Sequence, residues 1–173
     1  MWSSDLGRVA RGAVLLAALA LGGCETTGLH PLYMSRGGDM QAILQSIAVD
    51  PIPDRFGHYL ADKLVTDLNG TGATVMPRYH LIVVPHIAVQ TPLINTVTTT
   101  ASAATMTVNA DYRLIPVGGG EPVAKGTVTS AASYDRSLQR FANIRAARDA
   151  EIRNADTVAD QITQQVASQL ATR

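Results

Sequence analysis

Between Thr105 and Leu114 the chain alternates strictly, with Met106, Val108, Ala110, Tyr112 and Leu114 separated by Thr105, Thr107, Asn109, Asp111 and Arg113. A period of two over ten residues predicts a half-buried antiparallel strand. Val123–Tyr134 repeats the pattern, setting Ala124, Val128, Ala132 and Tyr134 opposite Lys125, Thr127, Thr129 and Ser133. Pro116 through Pro122, with three glycines between, predicts the connecting turn. Arg78–Thr91 is less regular. Tyr79, Leu81, Val83, Ile87 and Val89 share one parity, but Ile82 and Val84 fill the other, so part of this strand is expected to be buried on both sides. Pro85 removes a ladder donor and asks for an edge or a bulge. Pro92–Thr100 would be the hairpin tip. A short β-prone run, Ala42–Asp50, carries Ile43, Ile47 and Val49 and is closed by Pro51 and Pro53, which predicts a first strand.

Two stretches have a helical period instead. Phe56, Leu60, Leu64 and Leu68 recur every four residues, with Tyr59 and Val65 widening the stripe and Asp62, Lys63 and Asp67 on a solvated face. Asp54 stands where an N-cap belongs, and Asn69-Gly70 would supply a left-handed stop. From Asn143 to Ala171, Ile144, Ile152, Ala155, Ala159, Ile162, Val166 and Leu170 recur at steps of three and four, giving a helix of roughly 40 Å. The expected fold is therefore α+β in two layers, in the order β-α-β-β-β-α. Two helices pack on one face of a mixed, mostly antiparallel four-stranded sheet, and the other face is open and rich in Thr, Ser and Asn.

The chain's first apolar run, Gly12–Leu21, follows Arg8 and Arg11 and ends in Gly22-Gly23-Cys24, the charged, apolar, small order of a secretory signal. It falls well short of the roughly 20 residues that span a bilayer. Cys24 is the sole cysteine, which excludes an intrachain disulfide. Leu21-Gly22-Gly23-Cys24 resembles the lipobox of bacterial lipoproteins, whose cysteine is acylated and becomes the mature N-terminus. The alternative is a secreted protein cut near Gly23 that keeps a free thiol. Buried acyl chains contribute about 0.8 kcal/mol per CH₂, so two or more chains on Cys24 would hold the protein on its membrane. Glu25 rather than Asp after the cysteine favours the outer membrane in that class. The expected organisation is a signal at 1–23, an acylated N-terminus and tether at 24–39, and one α+β domain at 40–173. The tether contains the apolar segment Leu29-His30-Pro31-Leu32-Tyr33.

Composition narrows the chemistry. The signal holds Asp5, Arg8 and Arg11, so 12 of 14 basic and 13 of 14 acidic residues remain beyond it. That balance argues against nucleic acid as a partner. Of the four histidines, His80 and His86 share a strand parity but would lie about 20 Å apart, too far for one metal. Gly118-Gly119-Gly120 lacks the lysine and helix of a phosphate loop, and no Gly-x-Ser-x-Gly elbow occurs. We expect no catalytic residues, no metal and no cofactor. Arginine stands out: Arg136, Arg140, Arg145, Arg148 and Arg153 fall within 18 residues at the junction of the last strand and the last helix. Guanidinium groups suit bidentate phosphate contacts, although Asp149, Glu151 and Asp156 on the same helix would neutralise a merely solvated face.

In several short motifs the chain resembles the lipopolysaccharide-assembly lipoprotein LptE in its alphaproteobacterial form. These are Cys24 followed by Pro31-Leu32-Tyr33; Ile52-Pro53-Asp54-Arg55-Phe56-Gly57-His58-Tyr59-Leu60; Met106-Thr107-Val108-Asn109-Ala110; and Tyr134-Asp135 before the final helix. The resemblance implies two helices against a four-stranded sheet and a non-enzymatic role as a plug within an outer-membrane β-barrel of the lipopolysaccharide-export type. It also implies lipopolysaccharide as a ligand, held by basic residues near the hairpin tip and beyond the last strand. Here the tip has no Lys or Arg, while the second zone has Arg136, Arg140 and Arg145. The expected location is the outer membrane, through the lipid on Cys24, facing the periplasm or inside the barrel lumen. An auxiliary lipoprotein of a lipid-transport ABC system is the alternative reading.

Overall fold

Seven elements follow one another in the computed structural model, which describes residues 37–70, 72, 74–95 and 100–172. They are α1 (Gly37–Gln45), β1 (Ile47–Val49), α2 (Asp54–Leu68), β2 (Tyr79–Asn95), β3 (Thr100–Pro116), β4 (Ala124–Asp135) and α3 (Arg140–Ala171). Residues 38–173 form one compact unit. The signal, Cys24 and the Pro31-Leu32-Tyr33 segment lie outside the described residues, as do 96–99.

The sheet order is β1-β2-β3-β4, with β1 parallel to β2 and the other pairs antiparallel. Its register aligns Leu81 with Leu114 and Leu114 with Ala124, and Val83 with Tyr112 and Tyr112 with Gly126. Like parities therefore meet across strands, and one face becomes continuously apolar. The helices α2 and α3 cover that face. Leu60, Leu64, Leu81, Val108, Leu114, Ile162 and Val166 are fully buried between the layers. The fold is the α+β arrangement that the periodicities predict. The opposite face is polar and cross-linked by hydroxyls: Thr105 with Ser133 at 2.8 Å, Thr129 to Asn109 at 2.8 Å and Thr127 to Asp111 at 2.5 Å.

Buried polar side chains fasten α3 to the sheet. Ser130 donates to Asn154 Oδ1 at 2.7 Å, and Asn154 Nδ2 donates to the Met106 carbonyl at 3.0 Å. Tyr112 donates to Gln165 at 2.8 Å and accepts from Gln169 Nε2 at 2.9 Å. Gln169 then reaches the backbone of Lys125, accepting its N–H at 3.0 Å and donating to its carbonyl at 3.2 Å. Gly126 leaves room for this cluster, because a Cβ there would stand 2.9 Å from the Tyr112 hydroxyl and 3.0 Å from Gln165 Oε1.

Several expectations are corrected. Ala42–Gln45 is helical, and the first strand is only Ile47–Val49. Ser46 separates the two, its N–H and hydroxyl both bonding to the Ile43 carbonyl. Asp54 is not an N-cap: Pro53 holds that place without a side-chain bond, and Asp54 is the first helical residue, at φ 69°. The left-handed residue after α2 is Gly72, at φ 65°, and not Asn69 or Gly70. Val65 is exposed, and Lys63 is not a solvated residue but bridges Asp67 at 2.6 Å and Asp160 at 3.1 Å. Val84 is exposed on the open face, so that stretch of β2 is not buried on both sides.

Pro85 sits at an edge, and its bulge-like alternative lies elsewhere, between Gln90 and Ile94. The Asp50 N–H donates to the Leu81 carbonyl at 3.0 Å, so odd-numbered residues of β2 aim their backbone groups away from β3. β1 ends at Val49, and Pro85 therefore lacks its donor on a side with no strand partner among the described residues.

Candidate functional site

The arginine-rich zone begins where β4 ends. Asp135 closes the strand, and the turn to α3 is fixed by Asn143, whose Oδ1 accepts from Ser137 N–H and whose Nδ2 donates to the Ser137 carbonyl, both at 2.7 Å. Gln139 is the N-cap of α3 but contributes no side-chain bond. Sequence reading passed over Asn143; its signal was an amide residue one turn into the helix, facing a serine-containing turn.

Arg136 lies in the turn before α3, and Arg140, Arg145 and Arg148 lie on the first turns of that helix, all exposed. None of the four forms an ion pair among the described residues. Two of the acids expected to neutralise them are engaged elsewhere. Glu151 holds Arg55 of α2 in a two-bonded pair, at 2.8 Å to Nε and 2.5 Å to Nη2, which raises the Arg55 pKa through hydrogen bonding and charge. Asp149 pairs with Arg153, which also donates to the Ser133 carbonyl at 3.0 Å.

These pairs set how far the helices overlap. Arg55 meets Glu151 and Lys63 meets Asp160, so α2 and α3 run in the same direction and α2 starts alongside residue 151. The first turns of α3 thus extend past α2. Their side chains on the α2-facing stripe have no helix over them: Phe141 is 82% and Ile144 49% exposed, and Leu138 in the preceding turn is 90% exposed. Both Ile144 and Ile152 were expected in the core and are exposed. Ile87 and Val89 of β2, expected on the buried parity, are also open, because their strand passes the start of α2. Guanidinium groups beside exposed apolar side chains form a surface whose chemistry suits an anionic amphiphile.

The other end of the hairpin differs from the expectation in extent. Pro92–Asn95 belong to β2 and Thr100 to β3, paired as Asn95 with Thr100. On the open sheet face a shallow depression of about 570 Å³ is lined by Val84, Asp111, Arg113, Lys125 and Thr127, among others. His80 Nδ1 lies 2.8 Å from Asp50, His58 3.5 Å from Asp62 and His86 3.9 Å from Asp111. Among the described residues no three His, Cys, Asp or Glu side chains converge as metal ligands would. No described helix is long and apolar enough to cross a membrane.

No family model matches the sequence, and no curated protein matches it. Solved structures do match. A protein assigned as a lipoprotein from Caulobacter crescentus is 24% identical with a TM-score of 0.66, over 80% of this chain and 100% of that one. Rare lipoprotein B from Shewanella oneidensis is 12% identical with a TM-score of 0.55, over 73% and 95%. A minor lipoprotein from Acinetobacter baumannii is 19% identical with a TM-score of 0.52, over 72% and 92%. At these identities the likeness is one of fold, and the fold of residues 38–173 is one found in bacterial lipoproteins.

Proposed function

We propose that this chain is an outer-membrane lipoprotein of the LptE kind, acylated on Cys24, that plugs and supports a lipopolysaccharide-export β-barrel without itself being an enzyme. The observation that carries the reading is the lipoprotein fold, matched over the full length of the Caulobacter protein, behind a sequence whose Cys24 context resembles a lipobox. The open sheet face supports it: rows of Thr, Ser, Asn and Asp side chains bonded to one another suit the polar interior of a large barrel. The exposed arginines beside Leu138, Phe141 and Ile144 provide a place for a phosphorylated lipid, with Arg136, Arg140 and Arg145 as its contacts.

Mild crosslinking in native envelopes, followed by purification on this chain, is the test. Recovery of a lipopolysaccharide-export barrel is expected. Recovery of lipid-transporter components instead would replace this reading with the ABC-system alternative. Labelling with a radioactive fatty acid tests the anchor separately: the parent should label, Cys24→Ala should not, and equal labelling would remove Cys24 as the attachment point.

A further inference from the structure

Two uncovered strand edges, that of β2 beyond the end of β1 and the outer side of β4, are treated differently. At the β2 edge Pro85 withholds a donor, a common way of blunting a strand edge. The outer edge of β4 has no proline and no register shift against β3. Its backbone direction follows from two contacts. Gln169 bonds both the N–H and the carbonyl of Lys125, and Arg153 bonds the carbonyl of Ser133. The odd-numbered residues of β4 therefore point their backbone groups outward. Gln169 and Arg153 occupy the two ends. Between them the outward N–H and carbonyl groups of Thr127, Thr129 and Ala131 have no partner among the described residues.

We propose that this edge pairs antiparallel with the same edge of a second copy, about a two-fold axis at Ser130. A self-paired interface must be complementary to itself when read in reverse, and this strand is. In that register Lys125 lies opposite the second copy's Asp135, Thr127 opposite its Ser133 and Thr129 opposite its Ala131, all odd-numbered and all hydrogen-bonding outward. Neither Lys125 nor Asp135 has an ion-pair partner within one copy among the described residues. Sliding by two residues in either direction loses both Lys–Asp pairs. Opposite charges directly across a strand pair stabilise it, and like charges oppose it. Gln169 must release Lys125 for the outermost pair to form, and Arg153 must release the Ser133 carbonyl for the pair inside it, so the dimer is weak and concentration-dependent. The pairing goes beyond the plug reading and does not depend on it.

Sedimentation equilibrium of the full acylated chain in mild detergent, over a range of protein concentrations at low salt, reads the pairing. The parent should dimerise. Thr129→Pro removes an outward N–H and, toward β3, only the exposed side-chain bond to Asn109, while every backbone bond to β3 stays, so its melting curve should shift little while the dimer is lost. Lys125→Asp should weaken the dimer about tenfold, since two exposed pairs become repulsive, and adding Asp135→Lys should restore it. A parent that stays monomeric at every concentration overturns the proposal. So does a dimer indifferent to Thr129→Pro and to the charge reversal, which would mean copies sharing a micelle or meeting through another face.

Discussion

Gly57 is fixed by one backbone oxygen. The chain enters α2 through Ile52 and Pro53 and folds back so closely that a Cβ on Gly57 would stand 2.6 Å from the Ile52 carbonyl oxygen and 2.7 Å from its Cγ2. An alanine cannot turn away from a backbone atom, so Gly57→Ala should destabilise the domain by about 1–3 kcal/mol, as overpacking does; a denaturant midpoint equal to the parent's would contradict that packing. Tyr112 gives a pH signature. Burial raises its pKa above the ordinary tyrosine value, with the Gln169 bond opposing in part. In the unfolded chain the phenol ionises near its ordinary value, while the folded chain holds its proton. The stability this contributes is complete below about pH 10 and lost as pH rises through the folded pKa. Chemical denaturation of parent and Tyr112→Phe should therefore converge as pH rises above that point, and a constant difference would remove Tyr112 as the source.

Helices and strands were legible where their partners run their full length. The stripe Phe56, Leu60, Leu64 and Leu68 is buried as its spacing predicts, and so are Met106 through Leu114 on one parity. Periodicity tells which face is apolar but not how far a neighbour covers it. Ile144, Ile87 and Val89 continue correct patterns past the start of α2 and are exposed for that reason, whereas Ile152 lies within the overlap and is exposed on the flank of the stripe. Short runs are ambiguous for another reason: Ala42–Val49 is too brief to separate helix from strand by period, and it contains both. Lys63 was misread because its partner Asp160 comes from a helix almost a hundred residues later. The expected contrast at this scale is between neighbours. Leu64→Ala should cost about 2–5 kcal/mol through lost burial and a cavity. Lys63→Ala, half-exposed between two carboxylates, should cost about 1 kcal/mol or less. Equal unfolding midpoints for the two variants would place Leu64 outside the core.

At the scale of the whole molecule, composition located the arginines, but their setting depends on tertiary structure. The exposed Leu138, Phe141 and Ile144 stand beside them only because α3 outruns α2, and Glu151 is withdrawn from them only because Arg55 claims it. Of the candidate ligand contacts, Arg136 lies in the turn and Arg140 is the first residue of α3, and neither is ion-paired among the described residues. A charge-assisted bond from arginine to phosphate is strong and often bidentate. At an exposed site, salt screens the attraction over about 8 Å at physiological ionic strength. The double change Arg136→Glu, Arg140→Glu should therefore weaken lipopolysaccharide binding most at low salt, with a difference from the parent that narrows as salt is added. Neither side chain contributes to the core, so the melting temperature and copurification of a barrel should stay near the parent's. Binding measured on full-length protein across a salt series distinguishes the outcomes. Loss confined to low salt assigns the two arginines to phosphate recognition. Undiminished binding by a folded double variant would leave them as solvated residues of the turn, with the ligand held elsewhere.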